Sequence, residues 1–141
     1  VTKGMPRIMT QPYPNEFVQH GDKIELKIEE YDAVRTIHVG PGAAESAGAP
    51  SPLGHSVARW EGSALVVTTT NLAGGLFDGV GATPVSSQAT LTERFAPSAD
   101  GAQLDYSLTI ADPVYRTEPA KVEKRWLNVP GVQVLPYECK R

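Results

Sequence analysis

Residues 51–71, SPLGHSVARWEGSALVVTTTN, indicate the fold class, because they contain two runs of strand-forming residues separated by a tight turn. The Gly-Ser pair at 62–63 suits a two-residue hairpin turn, in which glycine supplies the positive φ that the turn needs. The sequence HGDK at 20–23 has the same character. In 22–32, and again in 101–112, apolar and polar residues alternate with a period of two, which is typical of half-buried antiparallel strands. The sequence therefore predicts an all-β protein.

Nine strands joined mostly by short turns are predicted, and no segment keeps a helical apolar pattern for three turns. Such a series suggests an antiparallel meander that closes into a calycin- or lipocalin-like barrel. The 141 residues suit one domain (1–141), with 1–14 extended across the sheet and with flexible loops at 40–54 and 72–86. The strands are expected near 16–20, 23–30, 33–39, 55–61, 64–71, 87–95, 102–110, 120–128 and 132–138.

The composition argues against several classes of function. The net charge is −3, with acidic and basic residues mixed along the chain, whereas a nucleic-acid surface needs a clustered basic face. No apolar run approaches the roughly 20 residues that cross a bilayer. No glycine-rich nucleotide motif stands in the right context, and the three histidines show no local metal-ligand spacing. We therefore expect no nucleic-acid partner, no membrane span, no metal and no cofactor.

The register of the hairpin separates the polar side chains of residues 51–71. With the turn at 62–63, Trp60 lies opposite Leu65 on the more apolar face, whereas His55 and Arg59 lie on the mixed face. The Cα atoms of His55 and Arg59 are then about 13 Å apart, at about 3.3 Å per residue. Two interpretations stay open: a strand-end cap beside a solvent-facing charge, or a site at which long side chains converge.

Glu93 is the most informative polar residue, because it shares strand parity with Leu91 and so lies on an apolar face. A glutamate on a buried face must be paired, hydrogen-bonded or protonated. A carboxyl group of this kind that lines a cavity would suit a general acid or base. The alternatives are a bulge that turns Glu93 outward, or a buried ion pair with Arg94, Arg125 or Arg35.

Aromatic side chains are expected to face the interior of the barrel. In a protein of this size they either fill the core or form the walls of a pocket, and eight to ten strands can enclose one small ligand. The predicted substrate-binding residues are Trp60, Tyr106, Tyr31, Arg35 and Trp126.

Several motifs resemble a family of small, often exported bacterial β-proteins for which no activity is established. They are GMPRIMTQPYPNEFVQ at 4–19, GHSVARWEGSALVVTTTN at 54–71, LTERF at 91–95 and YSLTIADP at 106–113. The resemblance covers most of residues 4–139 in the same motif order, and it brings no catalytic residues. It implies that the recurring polar motifs of the family include Arg35, His55, Arg59, Trp60, Glu61, Glu93 and Arg94.

The chain departs from that family pattern in two places. Members often read WEGDTLVVDT, whereas this chain has Ser63, Ala64 and Thr68, so that an acidic residue is lost twice. Members also often carry a cysteine shortly before the GMPR run, which the resemblance would pair with Cys139; that position falls at or before Val1 here. Because members are often exported, the resemblance implies a periplasmic or secreted protein, with the cytoplasm as the alternative.

Three functional hypotheses follow. The first is a cofactor-independent lyase, isomerase or cyclase that acts on a small apolar or aromatic compound by acid–base catalysis. In it Glu93 is the acid or base, His55 a second proton-transfer group, and Arg59 or Arg35 the group that holds an anion. The second is a carrier or binding protein with the same pocket and no chemistry, and the third is a structural or interaction domain with a filled barrel. The expected partner is a small organic ligand, with a homodimer as a further option.

Overall fold

The computed structural model describes residues 4–40, 42, 48–76 and 83–138, and these residues form a strongly curled, mostly β half-barrel. Two single turns of 3-10 helix lie at Arg7–Met9 and Glu30–Asp32. The strands are β1 Asn15–His20, β2 Lys23–Ile28, β3 Ala33–Val39, β4 His55–Glu61, β5 Ala64–Thr70, β6 Gly75–Leu76, β7 Pro84–Val85, β8 Thr90–Pro97, β9 Gln103–Ala111 and β10 Ala120–Leu127.

Eight strands form one sheet in the order β1-β2-β3-β4-β5-β8-β9-β10, and β6 pairs with β7 alone. All neighbours in the large sheet are antiparallel except β3 and β4, which run parallel. Parallel neighbours need a crossover connection of a dozen or more residues, and the segment 40–54 provides it. The all-β prediction is confirmed, but the prediction of an uninterrupted antiparallel meander is wrong at this junction.

The predicted hairpin registers are confirmed. Trp60 lies opposite Leu65 across the turn at 62–63, and His20 lies opposite Lys23 across the turn at 21–22. The strands predicted at 87–95 and 102–110 likewise form an antiparallel hairpin, as β8 and β9. Local turn chemistry therefore determines how these neighbouring strands pair.

The predicted ninth strand at 132–138 is wrong, because this segment belongs to no sheet. Its backbone donates hydrogen bonds to side chains instead: Leu135 N–H to Glu29 Oε2 at 3.1 Å, and Tyr137 N–H to Asp32 Oδ1 at 2.9 Å. The ring of Tyr137 also packs against Tyr31, with 5.1 Å between centroids. Residues 128–138 thus run from the end of β10 to the turn after β2.

The core lies on the inner face of the half-barrel, and the N-terminal segment packs against it. Met5, Ile8 and Met9 are buried in this core. Arg7 makes an ion pair of 3.1 Å with the buried Glu30. The segment stays outside the sheet, as the sequence predicts, but it forms a turn of 3-10 helix and is not extended throughout. The strands contribute Ile24, Leu26, Ile28, Ile37, Leu65, Val67, Leu91, Phe95, Leu108 and Ile110 to the same core.

Position 54, immediately before β4, requires glycine for two reasons. Its φ is +67°, and an added Cβ would lie 2.5 Å from Thr70 O and 2.8 Å from the side chain of Leu72. Gly62 has a similar φ of +61°, but nothing lies within 4 Å of an added Cβ there. Both sites need glycine for backbone conformation, and only Gly54 needs it for packing.

The two long connections are described in part. In the second, β6 pairs with β7 and Val85 is buried, while residues 77–82 of the predicted loop lie outside the described residues. In the first, residues 41 and 43–47 lie outside them. Within the described ranges, no helix is long and apolar enough to span a membrane.

Candidate functional site

A buried ion pair between Arg35 on β3 and Glu93 on β8 occupies the middle of the inner face. Arg35 Nη1 lies 2.9 Å from Glu93 Oε2, and Arg35 Nη2 contacts Glu93 Oε1, so the pairing is bidentate. Arg35 is 1% exposed and Glu93 is 0% exposed. Of the alternatives that the sequence leaves open for Glu93, the structure shows the ion pair with Arg35.

Three hydroxyl groups complete the hydrogen bonds of this pair. Arg35 Nη2 donates to Ser56 Oγ at 3.0 Å and to Thr69 Oγ1 at 2.9 Å, and these two hydroxyl oxygens lie 2.8 Å apart. On the other side, the Tyr106 hydroxyl donates to Glu93 Oε2 at 2.8 Å. The network therefore crosses five adjacent strands: β3, β4, β5, β8 and β9.

The pKa values of Arg35 and Tyr106 are both raised within the network. Burial alone would lower the pKa of Arg35, but the charge and hydrogen bonds of Glu93 outweigh it and raise this pKa. Burial, together with the charge of Glu93, holds the pKa of Tyr106 well above its ordinary value. Arg35 therefore stays charged and the Tyr106 hydroxyl stays a donor at neutral pH.

A cluster of aromatic rings connects the buried network to the open edge of the half-barrel. The Tyr106 ring stacks on Trp126 with 4.7 Å between centroids, and it lies 5.1 Å from Phe95. Phe95 in turn meets the edge of Phe17 on β1 at 5.3 Å. Phe17 thus packs across the inner face from β1 to β8, two strands that are not neighbours in the sheet.

A cavity of about 270 Å³ lies beside Phe17, at the end of the inner face that holds the β4–β5 turn. Among the described residues that line it, Gln19 and Ser63 are the polar ones, and none is ionisable. The remaining lining residues are Phe17, Ile24, Trp60, Leu65, Phe95, Pro97 and Leu104. Trp60 is 51% exposed, so its indole forms a rim that solvent reaches.

A second cavity of about 580 Å³ adjoins the first, and the two share Phe17, Pro97 and Leu104. It lies between the start of β1, the end of β10 and residues 128–134. Trp126 lines this larger cavity. Glu93 is not among the described residues that line either cavity.

The predicted site residues therefore fall into separate places. The buried network brings together Glu93, Arg35 and Tyr106. Trp60 lines the smaller cavity, and Trp126 lines the larger one. His55 lies on the outer face, with its ring stacked on His38 at 5.0 Å, and Arg59 pairs with Glu61 at 2.9 Å on the surface.

Tyr31 lies in the turn after β2 against Tyr137, so the expectation that it faces the interior is wrong. The structure does not bring His55 or Arg59 to Glu93.

Sequence reasoning missed three residues of this region. Ser56 and Thr69 lie opposite each other on the buried face, and two facing hydroxyls at core positions are a signal that a polar group needs partners. Phe17 gives no comparable signal, because its neighbours on the same face of β1, Asn15 and Gln19, are polar.

Comparison of the chain with protein-family models, with curated proteins and with solved structures gives no significant match. The family resemblance seen in the sequence motifs therefore stays a prediction.

Proposed function

We propose that this protein binds a small, uncharged, apolar or aromatic molecule in the cavity beside Trp60 and Phe17. The observation that carries the proposal is the lining of the smaller cavity, which combines three aromatic rings with aliphatic side chains and two neutral polar groups. Ligand pockets have this composition: a mostly apolar wall with a few polar groups that orient the ligand. Gln19 and Ser63 would supply those hydrogen bonds.

The chemistry of the wall favours a neutral ligand. A charged group that enters a cavity without an ionisable partner loses hydration and gains no ion pair. A flat aromatic ligand would instead gain from stacking on Trp60 and Phe17, because offset and edge-on ring contacts stabilise beyond the area that they bury.

The adjoining larger cavity extends the space for a ligand. Phe17 lines both cavities and is 38% exposed, so a rotation of its side chain would join them. Ligands longer than the smaller cavity would then continue along β1 towards Trp126. We include in this proposal a calycin-like barrel that stays open between β1 and β10, and the exported location that the motif resemblance implies.

Binding without chemistry is the form of the proposal that the geometry favours. Both carboxylate oxygens of Glu93 are engaged by Arg35, and one of them also accepts the Tyr106 hydroxyl. An acid or base must reach its substrate within hydrogen-bond distance, directly or through one water. The lyase or isomerase hypothesis, with Glu93 as the acid or base, stays a prediction.

A fluorescence titration with N-phenyl-1-naphthylamine, a neutral aromatic probe, tests the proposal. We expect saturable binding, and we expect Trp60→Ala to weaken it by about tenfold or more, as for the loss of an aromatic anchor. Tyr115→Ala is the matched control, because Tyr115 is 55% exposed, close to the 51% of Trp60, but lines neither cavity.

Two results would contradict the proposal. One is the absence of saturable binding by the folded protein, which would favour the structural or interaction domain. The other is an equal loss of affinity in Trp60→Ala and Tyr115→Ala, which would place the probe elsewhere.

A further inference from the structure

β10 presents an open edge of the sheet. It pairs with β9 on one side, and no strand in the described part of the chain pairs with its other side. Its outer face carries Lys121 and Glu123, whose side chains are 61% and 71% exposed and lie 2.9 Å apart. Open edges of this length are templates for pairing with another strand, and charged side chains along an edge oppose every pairing that sets like charges against each other.

We propose that the protein forms a twofold-symmetric dimer in which β10 pairs antiparallel with β10 of a second copy. A twofold axis perpendicular to the sheet must pass beside one residue, which then lies opposite itself. With Val122 at the axis, Lys121 of each copy lies opposite Glu123 of the other. The symmetry makes this attractive pair twice, and it places Val122 against Val122 on the inner face.

Neighbouring registers are disfavoured, because each places like charges opposite each other. With Glu123 at the axis, this carboxylate faces its own copy and Lys121 faces Arg125. With Lys121, Lys124 or Arg125 at the axis, a cation faces its own copy. Like charges directly opposite each other destabilise a sheet, so the register centred on Val122 is the one that pairs most of the strand without repulsion.

Exposed apolar residues at the two ends of β10 support the same register. Leu127 and Val129 lie at its C-terminal end and are 68% and 54% exposed. Val114 and Tyr115 lie in the loop before β10 and are 51% and 55% exposed. Antiparallel pairing brings the end of one β10 to the start of the other, so these apolar groups approach each other across the axis. They would supply the apolar contact that edge pairing alone lacks.

This dimer is independent of a ligand in the smaller cavity, whereas Leu127 and Val129 at the end of β10 also line the larger cavity. The smaller cavity lies between β1 and the β4–β5 turn and includes no residue of β10. Two half-barrels would join into one continuous sheet while each keeps its own cavity beside Trp60. Loss of the dimer is therefore expected to leave probe binding at that cavity unchanged.

Sedimentation velocity of the full chain over a range of concentrations tests the proposal. We expect a reversible monomer–dimer equilibrium and a dissociation constant at least tenfold weaker for Glu123→Lys. The double change Lys121→Glu with Glu123→Lys reverses both charges and is expected to restore the dimer. Glu16→Lys, on the opposite edge strand β1, is the control and is expected to dimerise like the wild type.

Several outcomes would overturn the proposal. They are a wild-type protein that stays monomeric, a Glu123→Lys variant with unchanged affinity, or a Glu16→Lys variant that alone loses the dimer. The last result would assign the interface to β1.

Cysteine cross-linking tests the register separately, in a Cys139→Ser background that removes the native thiol. Val122→Cys is expected to form a disulfide-linked dimer, because directly opposed Cα atoms lie about 4.5–5.5 Å apart, within the reach of a disulfide. Lys124→Cys is expected to stay uncross-linked, since its Cα atoms would be about 13 Å apart at about 3.3 Å per residue. The opposite pattern would refute the register.

Discussion

Removal of Arg35 should destabilise the protein more than any surface charge does. In Arg35→Met, the carboxylate of Glu93 stays in a fully buried position and keeps only the Tyr106 hydroxyl as a partner. Breaking a buried ion pair in this way costs about 3–5 kcal/mol, because one charge is left without compensation. At about 3 °C per kcal/mol for a chain of this size, the midpoint of thermal unfolding should fall by roughly 10–15 °C.

The replacement of the whole network by apolar groups should recover most of that loss. In Arg35→Met/Glu93→Leu/Tyr106→Phe no charge remains in the network, and the Ser56 and Thr69 hydroxyls still bond to each other.

Calorimetry or circular dichroism during heating measures both variants. Arg59→Met is the matched control, because Arg59 pairs with Glu61 on the surface and such a pair contributes less than about 1 kcal/mol. Equal midpoints for Arg35→Met and Arg59→Met would refute the reasoning.

Three further predictions concern stability, measured by denaturant unfolding. Gly62→Ala should lower the free energy of unfolding by about 1–2 kcal/mol, because residue 62 has a positive φ. Gly54→Ala should lower it by about 1–3 kcal/mol more, because the added Cβ would also contact the backbone of Thr70. Equal losses in the two variants would contradict the packing argument. Burial would raise the pKa of Asp112, but hydrogen bonds from side-chain and backbone donors hold it below its ordinary value. The ionised Asp112 therefore contributes stability above about pH 4, and this contribution is lost as the pH falls through the lower pKa of Asp112 in the folded state. Asp112→Asn should abolish this pH-dependent loss of stability. Burial and the nearby His55 lower the pKa of His38. Below about pH 6.5 the unfolded chain therefore binds more protons than the folded chain, and stability should fall as the pH decreases. His38→Gln should flatten this dependence of stability on pH.

Strand pairing could be predicted from sequence where a short turn determines it. The Gly-Ser pair at 62–63 selects one register for β4 and β5, and the structure has that register. The parallel pairing of β3 with β4 could not be predicted, because the crossover at 40–54 carries no pattern that selects a neighbour. The sequence of residues 132–138 fits a strand equally well. In the structure, however, the backbone N–H groups of Leu135 and Tyr137 donate to the carboxylates of Glu29 and Asp32, and the segment pairs with no sheet edge.

The burial of Glu93 could be predicted, and its partner could not. Strand parity alone places Glu93 among apolar residues. The choice among the three arginines depends on how the sheet curls and on the parallel pairing of β3 with β4. Together they bring the side chain of Arg35 on β3 to Glu93 on β8. The face of β4 that carries His55 could be predicted, because the hairpin register separates His55 from Trp60 and Leu65 on the more apolar face.

The central claim is that a ligand binds beside Trp60 and Phe17 and does not contact Glu93. A two-dimensional ¹H–¹⁵N NMR titration of the folded protein with N-phenyl-1-naphthylamine tests it most directly. The account predicts the largest shifts at the Trp60 indole and at the backbone amides of Phe17 and Ser63, with unchanged affinity in Glu93→Gln if that variant stays folded. Shifts centred on other surfaces, or no shifts at saturating probe, would contradict it.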